Sequence, residues 1–93
     1  NVRAAQDLLL TNLLDKVLRR DMPAHFKVRI VDELEKTFLY FCLHDGVLDM
    51  PVLCEYLDVK WPTAQRLIEL LESAQLIKKI LEDYSTTFSD KDL

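Results

Sequence analysis

Four side chains in this sequence have the chemistry to bind a transition metal: His25, Cys42, His44 and Cys54. Structural zinc sites take paired ligands from short segments, in spacings such as C-x2–4-C with H-x3–5-H. Cys42 and His44 stand two residues apart, on or just beyond a helix, and so point to different sides. No metal centre is expected. Cys42 falls on a helical face rich in apolar residues, where a free cysteine behaves as a small hydrophobe. Hydrolytic chemistry fares no better. No serine is placed near a usable histidine and acid, and the carboxylates fall on wet helix faces. The glycine-rich phosphate loop that ends in GK and a hydroxyl residue is also absent. The chain is therefore expected to be no enzyme, with no catalytic, metal or cofactor residues of its own.

What remains is a group of polar residues around one tryptophan: Lys60, Trp61, Thr63, Gln65 and Arg66, with Lys78 and Lys79 further on. They lie at the start of the second helix of a short pair, the end that a recognition helix places in the major groove. The charge argues against DNA. Lys60 and Arg66 are matched by Glu69 and Glu72, and the whole chain carries a net charge of −4 with a pI near 5.0. Nucleic-acid binders commit several cations to phosphates. A protein-facing or structural role is the favoured reading. Trp61 either anchors an interface or folds back over Pro62 and the first helix of the pair. Arg19 and Arg20 form a second candidate, since an arginine beyond a nucleotide domain can reach the nucleotide or a neighbouring subunit. The preferred alternative is that they suit the C-terminal end of their helix dipole, with Asp21 capping the next turn.

The elements that position these residues follow from periodicity. From about Arg3 to Arg20, apolar residues recur at steps of three and four from Ala5 to Leu18, which predicts a helix with a broad apolar face. Part of that face is expected to meet a neighbouring domain. Pro23 ends the helix. A second helix is predicted from Lys27 or Arg29 to Leu43, burying Ile30, Val31, Leu34, Phe38, Phe41 and Cys42, with Asp45-Gly46 as its stop signal. Val47 and Leu48 are read as an extended stretch able to pair with a later strand. Asp49 is the predicted N-cap of a short helix from Met50 to Leu57, with Pro51 in its first turn. That helix should bury Val52, Leu53, Tyr56 and Leu57. Asp58-Val59 makes the turn, with Val59 inward, and a helix from Pro62 to Ala74 buries Ala64, Leu67 or Ile68, and Leu71. The pair matches a helix-turn-helix unit. Leu76 to Leu81 reads as a strand leading into a wing, and Ser85 to Asp92 as loop or linker.

These readings give one domain over residues 1–93. A leading helix occupies 1–21, a helical core 22–81 holds the helix-turn-helix at 49–74, and a polar linker fills 82–93. The fold class is mostly α, winged-helix-like, with about four helices and a short strand or β-hairpin wing. At 93 residues the chain can bury roughly 60–65% of its unfolded surface without a disulfide or metal staple. Its 49% hydrophobic and 30% charged residues place it among ordinary globular domains rather than disordered segments. Two cysteines make no secreted disulfide framework, so a reducing, cytoplasmic setting is expected. No apolar run is long enough for a membrane span. The start at Asn1 without methionine reads as a piece of a longer chain.

The order of these signals resembles a known family. VLRRDMPAHFKVR, then VLDMPVLCEYLDVKWPTAQRLIELLESAQLIKKI and LEDYSTTFSDKDL, is similar to the middle segment of a group of bacterial and archaeal ATPases. In that plan an AAA-type P-loop domain comes first, a small winged helix follows, and a C-terminal nuclease-like domain closes the chain. The resemblance runs from Val17 to Leu93. It is carried by Arg20-Asp21-Met22-Pro23, Pro62-Thr63, Leu70-Leu71-Glu72 with Leu76-Ile77, and Tyr84-Ser85. It implies a non-catalytic connector whose partners are the neighbouring domains of its parent, with ATP and magnesium bound elsewhere in that parent. The competing expectation is the DNA-binding winged helix of a transcriptional regulator. Two positions depart from the family pattern: Asp58 stands where glycine is usual in the turn, and Lys60 where serine is usual before the helix.

Overall fold

The computed structural model describes residues 2–44, 47–80 and 83–86. In order they form α1 (Val2–Leu18), α2 (Ala24–Leu43), α3 (Met50–Leu57), α4 (Trp61–Ser73), β1 (Ile77–Ile80) and β2 (Asp83–Thr86). The central element is α2, which packs against α1, α3, α4 and β2. Its inward face follows the helical repeat, and Leu34 and Phe41, two turns apart, are fully enclosed. Around them sit Val17 of α1, Leu53 of α3, Leu71 of α4, and Leu76 and Ile77 at the start of the strand pair.

The broad apolar face of α1 is used mostly inside this domain. Leu13 and Val17 are buried, and Leu9, Leu10 and Leu14 pack against the same core, while Leu8 and Leu18 stay exposed. Helix α1 stops at Leu18, and the Lys27 ammonium donates to the Leu18 carbonyl at 2.8 Å, satisfying an acceptor the helix end leaves open. Helix α2 begins at Ala24, earlier than the expected Lys27 or Arg29. Helix α1 stops five residues before Pro23, which serves instead to start the next helix. The extended backbone of Pro23 (φ −56°, ψ 143°) makes it the N-cap, and its carbonyl accepts from the Phe26 and Lys27 N–H groups. The predicted stop at Asp45-Gly46 lies outside the described residues.

Two expectations of burial are corrected. Val52 and Tyr56 are exposed, because a helix of only two turns presents a single i,i+4 pair, Leu53 and Leu57, to the core. Cys42 is also exposed, a 100° step around α2 from Phe41. Partial burial of its thiol nonetheless raises the thiol pKa above the usual value.

After α4 the chain forms a two-stranded antiparallel sheet, with Ile77 opposite Thr86, Lys78 opposite Ser85, Lys79 opposite Tyr84 and Ile80 opposite Asp83. The strand predicted after α4 thus has a partner, and Asp83–Thr86 is a strand rather than linker. The polar composition of that stretch hid a Tyr-Ser-Thr run whose tyrosine and threonine suit a strand once a partner lies alongside. The rest of the predicted linker, 82 and 87–93, together with Leu81 of the predicted strand, lies outside the described residues. Val47 and Leu48 join no sheet among the described residues; Leu48 packs on the core instead.

Candidate functional site

The residues singled out around Trp61 are set by how α4 begins. Lys60 holds an extended conformation (φ −88°, ψ 163°) and offers no side-chain cap. The Thr63 and Ala64 N–H groups donate to its carbonyl, both at 3.1 Å. Ala64, Leu67, Ile68 and Leu71 turn inward, which leaves Trp61, Thr63, Gln65 and Arg66 on the outside. Lys60 and Lys79 are exposed and Lys78 is half-buried.

These residues do not form one cluster. Trp61, Gln65 and Lys79 come together along a groove of about 380 Å³, with Leu48, Met50 and Ile68 as its apolar part and Glu69 and Glu72 beside them. Lys60, Thr63, Arg66 and Lys78 do not line it. Trp61 keeps 52% of its surface exposed, so it neither folds fully back nor stands free. The charged groups of the groove are two carboxylates and one ammonium, a sign that disfavours a phosphate backbone.

Arg19 pairs with Asp15 one turn earlier at 3.0 Å, both side chains exposed, the geometry of an ordinary surface ion pair. Arg20 behaves differently. It lines a second cleft, of about 410 Å³, between α1 and the C-terminal end of α4, where Lys16 joins it. Lys16 was not singled out in the sequence, because nothing in the spacing says that the end of α1 shares a cleft with the end of α4.

The remaining polar groups of the interior are satisfied. Glu33 is buried, and its carboxylate accepts from Arg29 Nε at 3.0 Å, while the Thr37 hydroxyl donates to the Glu33 carbonyl at 2.7 Å. The Tyr40 ring is buried, stacks on His44 at 4.1 Å and places its hydroxyl within 3.4 Å of the Asp49 N–H. That contact ties the start of α3 to α2. Among the described residues, no group of three or more His, Cys, Asp or Glu is placed to hold a metal ion. No helix among them is long and apolar enough to cross a membrane.

Among the described residues, four helices and a strand pair, with a tryptophan groove on one flank of α4 and a cationic cleft on the other, define a small, mostly helical domain. The chain belongs to the family described as Domain of unknown function (DUF8612), whose model matches residues 1–92. No curated protein and no solved structure matches the chain.

Proposed function

We infer that this domain is a non-catalytic protein-interaction module of winged-helix type. The order α3, turn, α4, β1, β2 supports the winged-helix reading, with α4 in the place of a recognition helix and the strand pair in the place of a wing. The observation that carries the interaction role is Trp61, half exposed over an apolar groove whose rim is net acidic. Large, rigid aromatics in such positions are typical anchors of protein contacts. The resemblance to the middle segment of prokaryotic AAA-type P-loop ATPases supplies the setting. There the module would dock neighbouring domains and relay nucleotide state in the cytoplasm, while ATP and magnesium belong to the P-loop domain. Arg19 then serves its own helix end.

The competing reading, a DNA-binding regulator, differs in salt response. Duplex DNA titrated into the chain at about 50 and 200 mM salt should give no saturable binding, whereas a binder making 6–10 phosphate contacts loses roughly 10³–10⁵ in affinity over that range. A steep, salt-sensitive affinity that depends on Lys60 and Arg66 would overturn the interaction reading. Sedimentation gives an independent check, because a half-exposed tryptophan groove should drive weak self-association that Trp61→Ala removes.

A further inference from the structure

We propose that the cleft between α1 and the C-terminal end of α4 docks an acidic, amphipathic segment of a partner protein. Its lining joins Leu9, Leu13, Val17 and Leu70 to the side chains of Lys16 and Arg20, in a volume of about 410 Å³. Leu70 lies about half a turn around α4 from Trp61, so the cleft is a surface separate from the tryptophan groove. The proposal rests on the interaction-module reading for the existence of a partner, and on nothing at Trp61.

Charge complementarity identifies the occupant. Three other cations one helical turn from an acid are paired with it: Arg19 with Asp15, Arg29 with Glu33 and Lys36 with Asp32, each at 3.0 Å. Lys16 and Arg20 make no ion pair among the described residues, and no carboxylate lines the cleft. The position one turn before Lys16, where an acid would pair with it, is Asn12, and Arg20 follows just past the end of the helix. Among the described residues, then, two cations share a cleft with an apolar floor and no carboxylate in its lining, in a chain of net charge −4. A carboxylate on each of two successive turns of a partner helix meets both, and an apolar side chain between them covers the floor.

A nucleic acid uses half of this arrangement. Phosphates have no use for Leu9, Leu13 and Leu70, and the overall charge repels a polyanion. A peptide that is both apolar and acidic uses all of it.

The test is a selection of random peptides of about twelve residues, long enough for three helical turns, on the intact chain. The enriched peptides are expected to carry Asp or Glu three or four residues apart with a large apolar residue between them. The double variant Lys16→Glu, Arg20→Glu should weaken them by about tenfold or more, and Lys16→Gln, Arg20→Gln by less. Both sites are exposed, and thermal melts of the variants check that the fold survives. Enrichment of nothing, enrichment of peptides without carboxylates, or binding untouched by the charge reversal would overturn the proposal. If the enriched peptides respond to Trp61→Ala and not to the charge reversal, the interaction module stands and this cleft falls. If duplex DNA binds with a steep salt dependence that the same reversal abolishes, both fall.

Discussion

Helices α3 and α4 are built to one plan and differ mainly in their first residue. Each begins from an extended residue and carries proline at its second position, Pro51 and Pro62. In α3 the N-cap is Asp49, whose carboxylate accepts from the Val52 N–H at 3.3 Å. In α4 the equivalent residue is Lys60, which has no acceptor to offer, and the Thr63 N–H turns to the Lys60 carbonyl instead. Both helices end in the same six-to-one closure. The Val59 N–H reaches the Cys54 carbonyl and the Leu76 N–H reaches the Leu71 carbonyl, each at 3.0 Å. The left-handed residue at each end is not glycine: Asp58 has φ 54° and Gln75 has φ 65°. What differs is the apolar clasp beneath. Leu71 and Leu76 are fully enclosed, whereas Cys54 and Val59 are only half-buried. Both helices bury leucines in the core, but only the shorter one has a side-chain cap and only the longer one a fully enclosed clasp.

That contrast can be broken in order of effect. Leu71→Ala removes the clasp of α4 and leaves a cavity in the core, so it should cost about 2–5 kcal/mol in urea unfolding. A loss below about 1 kcal/mol would show that α4 does not depend on the core in this way. Asp49→Ala should cost about 1 kcal/mol by removing the only side-chain cap of α3. In a domain of this size that is a drop of about 4–8 °C in the melting midpoint. Lys60→Ser supplies α4 with the acceptor it lacks and should raise stability by about 0.5–1 kcal/mol, while the same change at an interior surface site would not. Gln75→Gly should also stabilise, by roughly 0.5 kcal/mol, as relief of the left-handed strain outweighs the added freedom of the unfolded chain. Asp58→Gly should give only a few tenths, because a short polar side chain already tolerates that conformation. Equal gains at the two turns would refute the ranking.

The helix pair was the most legible part of the sequence, for reasons this comparison makes plain. Asp49, Pro51 and Pro62 are local signals, and they set the start of each helix to within a residue. The turn at Asp58-Val59 was also readable, and Asp58 tolerates the left-handed conformation it takes there. Gln75 was not readable, because glutamine carries no turn signature and its conformation is imposed by the burial of Leu71 and Leu76. The early start of α2 was hidden by a proline that can be taken as a stop from one side and a cap from the other. Strand β2 was hidden because its conformation depends on a partner three to nine residues away rather than on its own composition. At the candidate sites, the outward side of α4 could be read from its periodicity. The company kept by Lys79 and Arg20 is a property of tertiary packing. No spacing rule joins Lys79 to Glu72, or Arg20 to Leu70.

The corner between α1 and α2 governs more than the direction of the chain. Lys16 lies in the last turn of α1 and Arg20 just past it, and that end is fastened where the Lys27 ammonium reaches back to the Leu18 carbonyl. Neutralising or shortening this one side chain would loosen a brace rather than a contact surface. The spacing between the two cations and the far end of α4 would then widen, even though neither cation had been touched.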